Sequence, residues 1–445
     1  MTFVRSIALS RGLAFVRPVS LLLRGGWIVT QNARREVVRG DVLVEGGRIA
    51  AVGKVKGGAD EEVDCTDAAV LPGLINGHTH VANTLLRGAA DDVPLEKMLE
   101  VAFAADAKFT RRDVQVGALL GCIEMLKSGT TSFVDLFYWE DEVARAVREA
   151  GIRGFLAWTC LDPDVTTQHG VPVKNAAQFV RKHKGHRLVT PLVGLQGVYA
   201  CSEETYLAAK DVAESERVGL HTHLSETRGE VYAHEGKTGL RPVEWLDKIG
   251  FLGPRLSAAH CVWVTINEVR ALARRGVAVA HCPVSNMKLA SGGVAPLPEM
   301  FDAGVAVGLG TDSPISNNII DMFGEMKVCA LLHKAHRWDA SVLPAQKVLD
   351  LATIDAAKMI GAELELGSIE VGKRADLAVV DLRRPHATPF YPANLCSHLV
   401  YAIRGGDVRA TIVDGVIRVG DGHTVGVDEA EVLRRAQEIA GELFG

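Results

Sequence analysis

The sequence lacks the paired cysteines of a zinc ribbon or a disulfide framework. Its eight cysteines are scattered singly along 445 residues, without a CxxC pair, so a small secreted disulfide scaffold is excluded. They are Cys65, Cys122, Cys160, Cys201, Cys261, Cys282, Cys329 and Cys396. We therefore expect reduced thiols and a cytoplasmic protein.

Long apolar runs are also missing. No stretch of about 18 uncharged apolar residues occurs, so we expect no membrane span. The first twenty residues, MTFVRSIALSRGLAFVRPVS, contain no acid, and Arg5, Arg11 and Arg17 interrupt any signal-peptide core. We interpret residues 1–19 as an N-terminal extension outside the fold or an overcalled start, with a transit peptide as the alternative.

Clusters of basic residues, the footprint of nucleic-acid binding, are absent as well. Lys and Arg number 49 against 54 Asp and Glu, a formal net charge of -5. Hydrophobic residues make up 48% of the chain, enough for one large catalytic domain and a smaller companion. A small-molecule partner is the simplest expectation, with neither nucleic acid nor membrane as a partner.

Short β-like segments occupy both ends of the chain. LLLRGGWIVT and DVLVEGGRIAAVG lie near the N-terminus, and ADLAVVDL, DVRATIVDG and VIRVGDG near the C-terminus. Neither set can bury both of its faces alone. We therefore expect one small β-sandwich domain built from residues 20–71 and 366–445, the second part ending in a helix.

Between these ends, short Val/Ile/Leu-rich runs alternate with longer segments of helical periodicity. This alternation predicts βα units around a parallel sheet. Eight candidate strands end near Gly77, Val134, Trp158, Leu195, His223, His260, Ala280 and Leu309. The predicted fold class is thus α/β, a (β/α)8 TIM-type barrel over residues 72–365, with its active site at the carboxyl ends of the strands.

Four residues at these strand ends form a candidate metal site. His78 and His80 are two apart on the first strand, so both side chains point to the same face. His223 ends the fifth strand, and Asp312 follows the eighth. Three imidazoles and a carboxylate suit one divalent ion, zinc being favoured and ferrous iron the alternative, with a position left for water.

Three residues beside this site are candidates for catalysis. A metal ion would lower the pKa of its water and so supply a nucleophile for an electron-poor ring carbon. Asp312 can accept the water proton, and Glu226, three residues after His223, can carry protons to the departing amine. His260 at the sixth strand end would orient the nucleophile and stabilise charge. His221 faces the same way as His223, and we expect it to support the ligands from behind.

These motifs resemble the amidohydrolase superfamily, specifically its mononuclear deaminases that act on S-adenosylhomocysteine, methylthioadenosine and 5'-deoxyadenosine. The likeness extends over nearly the whole chain, through PGLINGHTHVANTLLRGAADDVPLEKML, HLSET, AAHCVW, AHCPVSNMKLASGGVAP, LGTDSPISNN and GSIEVGKRADLAVVDL. It implies a hydrolase acting on the carbon–nitrogen bond of a cyclic amidine. It also implies the same ligands and catalytic groups.

The resemblance further implies a single metal ion and amine release. The fourth strand end, VGLQGVYACS, contains no lysine that could be carbamylated to bridge two metals. Chlorotriazine hydrolases resemble this chain too, but those enzymes commonly lose the Glu after the third histidine, which is present here as Glu226. A homo-oligomer is also expected from the resemblance alone.

The substrate pocket departs from the adenosine-type pattern. Those enzymes hold ribose and the 5' substituent with a Glu, two arginines and a His, where this chain has Asp106, Trp158, Gln168 or His169, and Gln196. Loss of both arginines argues against a carboxylate-bearing tail. We expect Asp106, Trp158, Gln196 and Glu226 to bind substrate, with Trp158 as a flat stacking wall or, alternatively, packed against the helices.

Several substrates therefore remain open. An adenosine-type nucleoside is favoured, and a free purine, pterin or pyrimidine base, or an aminated or chlorinated triazine, is the alternative. Asn286 and Lys288, in the loop after the seventh strand, are interpreted as helix-capping residues rather than substrate contacts.

Overall fold

The structure is a computed structural model, and it describes residues 20–445 except Thr167 and His169. The predicted extension at residues 1–19 lies outside the described residues, as does His169. Within the described chain, no helix combines the length and the apolar character needed to cross a membrane.

Seventeen strands and sixteen α-helices follow in chain order. The strands are β1 (Ser20–Val29), β2 (Val37–Glu45), β3 (Arg48–Gly53), β4 (Glu61–Asp64), β5 (Ala68–Pro72), β6 (Leu74–Thr79), β7 (Thr130–Phe137), β8 (Arg153–Cys160), β9 (Val189–Leu195), β10 (Leu220–Leu224), β11 (Leu256–His260), β12 (Ala278–His281), β13 (Val307–Leu309), β14 (Leu377–Asp381), β15 (Val408–Val413), β16 (Val416–Gly420) and β17 (His423–Thr424). The helices are α1 (Leu95–Asp106), α2 (Arg111–Lys127), α3 (Glu140–Ala150), α4 (Pro172–His183), α5 (Glu203–Glu216), α6 (Arg228–Thr238), α7 (Pro242–Lys248), α8 (Ile266–Arg275), α9 (Pro283–Lys288), α10 (Leu297–Asp302), α11 (Pro314–Asn317), α12 (Met322–Arg337), α13 (Ala345–Leu351), α14 (Ile354–Met359), α15 (Leu395–Tyr401) and α16 (Glu429–Phe444). Short 3-10 helices span Val81–Leu86, Pro385–Ala387, Pro392–Asn394 and Gly405–Asp407.

The two ends of the chain form one sheet, as expected. Its nine strands run β17-β16-β15-β14-β5-β1-β2-β3, and β4 pairs with β1. The two sequence-distant halves join where β5 pairs antiparallel with β14, Val70 opposite Val379. Both residues belong to an apolar cluster that also contains Leu21, Val42 and Ile412, so neither half could bury this surface without the other.

Strands β6 to β13 form a parallel eight-stranded sheet in sequence order. Side-chain bonds close it into a barrel: the Asn76 amide donates to Thr311 Oγ1 (2.7 Å), and Thr311 N donates to Asn76 Oδ1 (2.9 Å). The interior is filled by small and branched apolar residues, among them Ile75, Val134 and Ala280. The predicted (β/α)8 barrel is confirmed, each strand ending within about three residues of the predicted position.

Local sequence signals explain several helix boundaries. Thr110 and Asp113 form a capping box at the start of α2, and Thr265 and Glu268 form one at the start of α8. Gly276 ends α8 in the left-handed conformation (φ 71°), which costs a glycine little. These signals define the helical layer that surrounds the barrel.

A buried ion pair links the barrel to the sheet. Arg153, at the start of β8, donates to both carboxylate oxygens of Asp376 at 3.0 and 3.2 Å. The same carboxylate accepts the backbone N–H of Asp414 at 2.7 Å. Because the charged groups are buried and mutually hydrogen-bonded, losing either partner would leave an uncompensated charge between the two parts of the fold.

Candidate active site

A cavity of about 570 Å³ opens at the carboxyl ends of the barrel strands. Its floor includes four of the predicted metal and catalytic residues, His80, His223, Glu226 and His260, together with Asp312. Its outer wall comes from α1, which faces the cavity with apolar side chains. These are Leu95, Met98, Leu99, Ala102 and Phe103.

The structure brings the four predicted metal ligands together. Nε2 of His80 lies 3.1 Å from Nε2 of His223, and Oδ1 of Asp312 lies 3.4 Å from Nε2 of both His78 and His80. Nitrogen and oxygen atoms bound about 2.0–2.1 Å from one zinc ion at tetrahedral angles lie about 3.3–3.4 Å apart. The spacing of these donor atoms therefore fits a single ion.

A second observation supports the fit. Nε2 of His78 is fully buried and has no hydrogen-bond partner among the described residues, although an unpaired buried polar atom is costly. Burial, followed by the charge of His78, lowers the pKa of His80 to about 4. The ring is therefore neutral at physiological pH and its Nε2 lone pair can coordinate a divalent metal ion.

Backbone carbonyls fix the orientation of two of the imidazoles. Nδ1 of His80 donates to the carbonyl oxygen of Leu136 (2.5 Å), and Nδ1 of His223 donates to that of Gln196 (2.7 Å). Each bond places the ring proton on Nδ1 and leaves Nε2 facing the cluster. The neighbouring strands β7 and β9 thus orient ligands that belong to β6 and β10.

A chain of side chains orients His78 from behind, as expected for His221. Nδ1 of His78 bonds Nε2 of His221 (2.8 Å), whose Nδ1 bonds Oγ of Ser257 (2.7 Å). The Ser257 hydroxyl donates onward to the carbonyl oxygen of Leu220 at 3.3 Å. Every proton in this chain has an acceptor, so one consistent set of tautomers leaves Nε2 of His78 free for the ion.

Asp312 is held by two hydroxyls that sequence reasoning missed. Ser285 and Ser316 donate to its Oδ2 at 2.5 and 3.0 Å, which leaves Oδ1 directed at the histidines. The backbone of Asp312 is left-handed (φ 61°) and its N–H donates to the carbonyl of His78. A strained strand end of this kind costs energy and typically marks a functional site.

Glu226 and His260 face each other across the cavity floor. Oε2 of Glu226 lies 3.6 Å from Nε2 of His260, and Oε1 of Glu226 is buried with no hydrogen-bond partner among the described residues. Burial, reinforced by the nearby carboxylates of Asp312 and Glu230, raises the pKa of Glu226 well above its usual range. Glu226 therefore keeps a proton at a pH where an exposed glutamate has lost it.

The backbone around Glu226 is anchored by Glu230. The carboxylate of Glu230 accepts the N–H groups of Ser225 (3.2 Å) and Glu226 (2.7 Å), while its own N–H is capped by Thr227. Ser225 adopts a left-handed conformation (φ 50°). The first turn of α6 therefore fixes where Glu226 points.

Asn286 contacts His260, which the sequence interpretation did not foresee. Its Nδ2 lies 3.1 Å from Nδ1 of His260, so the ring proton resides on Nε2, the atom that faces Glu226. Burial lowers the pKa of His260 to about 3. Sequence reasoning favoured a capping role for Asn286 because its strand-end loop gave no sign of which side chain it meets. Lys288 contacts Asp91, Asn318 and a backbone carbonyl, in agreement with a structural role.

Three of the four predicted substrate residues line the cavity: Asp106, Gln196 and Glu226. The hydroxyl of Tyr138 donates to Oδ2 of Asp106, and Oδ1 of Asp106 is buried without a partner among the described residues. The Gln196 side-chain amide donates to the Tyr199 hydroxyl at 3.0 Å.

Trp158 does not line the cavity, contrary to the expectation of a stacking wall. Its neighbour on β8, Thr159, faces the cavity, so Trp158 points outward to the helices. Its ring packs on Phe179 of α4 (5.8 Å between centroids), and its indole N–H donates to Gln168. The alternation of side chains along the strand is the reason: a shift of one residue changes the face.

Comparisons with known proteins agree with this geometry. The model of the amidohydrolase family matches residues 69–418. The chain is 40% identical over 428 residues to a 5'-deoxyadenosine deaminase of Methanosarcina mazei, covering 95% of this chain and 98% of the relative. It is 42% identical over 431 residues to a 5-methylthioadenosine/S-adenosylhomocysteine deaminase of Syntrophobacter fumaroxidans, covering 94% and 97%.

Among solved structures, an adenosine deaminase from Xanthomonas campestris with bound zinc superposes with a TM-score of 0.92 at 31% identity, over 96% of this chain and 99% of that one. The family match covers the sheet junction, the whole barrel and every residue of the site described above. The chain belongs to the amidohydrolase family.

Proposed function

We propose that this protein is a metal-dependent hydrolytic deaminase that releases ammonia from an adenosine-type nucleoside. The observation that carries the proposal is the position of Glu226: a buried carboxyl with one unpaired oxygen, beside His260 and the cluster of metal-binding groups. A site that held a metal ion only for structure would not need a proton carrier at this point.

In this proposal His78, His80, His223 and Asp312 hold one ion, zinc being favoured over iron. Three imidazole nitrogens and one carboxylate oxygen suit zinc, and the similar adenosine deaminase of Xanthomonas campestris was solved with zinc. When bound, the ion supplies a water of lowered pKa and a Lewis acid.

The remaining chemistry belongs to the side chains. Asp312 accepts a proton from the attacking water, while Glu226 donates one to a ring nitrogen of the substrate, so that the amine-bearing carbon becomes tetrahedral. The Nε2–H of His260 stabilises negative charge developing on the incoming oxygen. When the carbon–nitrogen bond breaks, the amine takes up a proton and leaves as ammonia, and the ring carbon keeps the oxygen as a carbonyl.

The cavity wall supports a nucleoside with an uncharged 5' end. Among the described residues no lysine or arginine lines the cavity, and the side of α1 that faces it is apolar. A homocysteine tail carries a carboxylate and an ammonium group, and burying them without partners is unfavourable. We therefore favour 5'-deoxyadenosine or methylthioadenosine over S-adenosylhomocysteine. In this proposal Asp106 and Gln196 contact the ribose.

The test is ammonia release from the purified, metal-assayed protein with a substrate panel. The nucleosides are adenosine, 5'-deoxyadenosine, methylthioadenosine and S-adenosylhomocysteine; the other members are adenine, guanine, cytosine, an aminated triazine and a chlorinated triazine. We expect the highest kcat/KM for a nucleoside with a neutral 5' group. Ammonia only from a free base or triazine would overturn the substrate class and keep the reaction, whereas chloride without ammonia would overturn the reaction.

We also propose the wider organisation of the molecule. The catalytic barrel spans residues 72–365, and residues 20–71 with 366–445 form the companion domain. A cytoplasmic homo-oligomer is consistent with eight free cysteines, seven of them buried. Size-exclusion chromatography with light scattering would measure the oligomeric state.

A further inference from the structure

A second cluster of metal-binding side chains lies outside the active site. It consists of His281, the last residue of β12, and Cys329 and His333, one turn apart on α12. All three are fully or almost fully buried. None of them lines the active-site cavity, and the mechanism above does not use them.

The geometry of this cluster matches a coordination site. Nε2 of His281 lies 3.2 Å from Nε2 of His333, and one donor atom from each of the three residues lies within 4.8 Å of the others. Two nitrogens bound to one zinc ion at about 2.0 Å and a tetrahedral angle lie about 3.3 Å apart. Residues four apart on a helix place both side chains on the same face, here the face that meets β12.

The cluster is poorly satisfied as a set of hydrogen-bonding groups. Nδ1 of His281 and Nδ1 of His333 are buried with no hydrogen-bond partner among the described residues. If the two rings are neutral and share one bond between their Nε2 atoms, one ring must bury a free Nδ1–H and the other a free Nδ1 acceptor. Such atoms are uncommon in folded proteins and call for an explanation.

We propose that His281, Cys329 and His333 bind a second metal ion, one with affinity for thiolate and imidazole, zinc(II) or copper(I). On binding, the Cys329 thiol loses its proton to solvent and forms a sulfur–metal bond, while each imidazole contributes a nitrogen lone pair. No electron transfer is involved. The site is structural, because its buried ligands leave no access for a substrate.

The ion would connect the barrel wall to the helix that supports the active-site loop. His281 is followed by Cys282 and α9, which carries both Ser285 and Asn286. The backbone N–H of Val284 donates to Glu325 on α12 (3.0 Å). Coordination therefore adds a second link between α12 and the segment that positions Asp312 and His260.

The proposal is tested by counting metals in the full-length protein. Inductively coupled plasma mass spectrometry should find two ions per chain in the wild type. Cys329→Ala should lose one of them and melt at a lower temperature. Cys122→Ala, which removes a buried thiol far from the cluster in sequence, should retain both. Zinc and copper are distinguished by the same measurement.

A spectroscopic test does not depend on any variant folding. Protein produced in cobalt-supplemented medium should show thiolate-to-cobalt charge-transfer absorption in the near ultraviolet, because the active-site set of three histidines and Asp312 contains no sulfur. His80→Asn should lose the active-site ion and keep this band. One ion per chain together with no thiolate band in the wild type would overturn the second site. Neither measurement depends on the deaminase activity.

Discussion

The carboxylate of Glu226 lies 3.6 Å from the imidazole of His260, although the two residues belong to different βα units. Both are aimed by strand ends with left-handed backbone, at Ser225 (φ 50°) and at His260 itself (φ 74°). Such conformations cost about 1–3 kcal/mol each and persist only where the surroundings enforce them. We infer that the barrel rim stores strain in order to position this pair.

Replacing Glu226 with Gln should remove proton transfer while keeping the shape of the site. We expect kcat to fall by about 10²–10⁴-fold, the usual contribution of a general acid or base. Metal content should be unchanged, because Glu226 is not among the grouped donor atoms. Steady-state ammonia release and metal analysis measure both. Glu235→Gln, on the exposed face of α6, is the matched control. Metal loss with full activity per remaining ion would contradict the assignment.

Asn286 should act through His260 rather than on the substrate. Asn286→Ala removes the bond that keeps the His260 proton on Nε2, a loss of about 1 kcal/mol and so about fivefold in kcat. Asn286→Asp should be more damaging, because a carboxylate accepts a proton from Nδ1 and favours the opposite tautomer. KM should stay constant in both. Asn267→Ala, on exposed α8, is the control. An increase in KM alone would instead indicate a substrate contact.

The parts of the site that could be predicted from the sequence are those encoded by local spacing. The HxH pair on β6, the histidines ending β10 and β11, and the aspartate after β13 all follow from strand ends converging on one rim. The role of His221 followed from its alternation with His223. The barrel itself followed from eight apolar runs separated by helical segments.

What could not be predicted depends on contacts between distant segments. Ser285 and Ser316 reach Asp312 only because the turns after β12 and β13 meet in space. Trp158 needed the strand's inward face to be known to a single residue. His281 and His333 are 52 positions apart, and no motif of their own marks them as neighbours. Each case requires tertiary packing that local periodicity does not contain.

Asp141 should stabilise the fold at neutral pH and not in acid. Burial alone would raise the pKa of this carboxyl, but its hydrogen bonds with His183 and Lys182 outweigh burial and lower the pKa to about 2. A carboxyl with a lower pKa in the folded state stabilises it above its unfolded pKa of about 3.9, and this contribution disappears as pH falls toward 2.

Asp141→Asn should therefore lower the urea midpoint at pH 7 and pH 5 by the same amount, of order 1 kcal/mol in unfolding free energy for a partly exposed pair. The difference from wild type should shrink below pH 4. Asp211→Asn, on the exposed face of α5, should change the midpoint little at any pH. A difference that grows on acidification would show that the carboxyl has no lowered pKa.

Asp106 should control ribose binding through its ionisation. Burial raises the pKa of this carboxyl to about 7, although the hydrogen bond from Tyr138 acts in the opposite direction. Below pH 7 the protonated group accepts hydrogen bonds weakly, and above it the carboxylate accepts them strongly. We expect KM for a nucleoside to fall as pH rises from about 6 to about 8, because the ionised form binds the ribose hydroxyls.

Two variants and one substrate separate this effect from a general pH dependence. Asp106→Asn should raise nucleoside KM and abolish its pH dependence over this range. Tyr138→Phe should move the transition to higher pH, since it removes the bond that lowers the carboxyl pKa. A dideoxyadenosine that lacks both ribose ring hydroxyls should show a KM that responds to neither change. If the dideoxynucleoside has the same pH profile as adenosine, the titrating group acts elsewhere in the site and Asp106 does not bind the ribose.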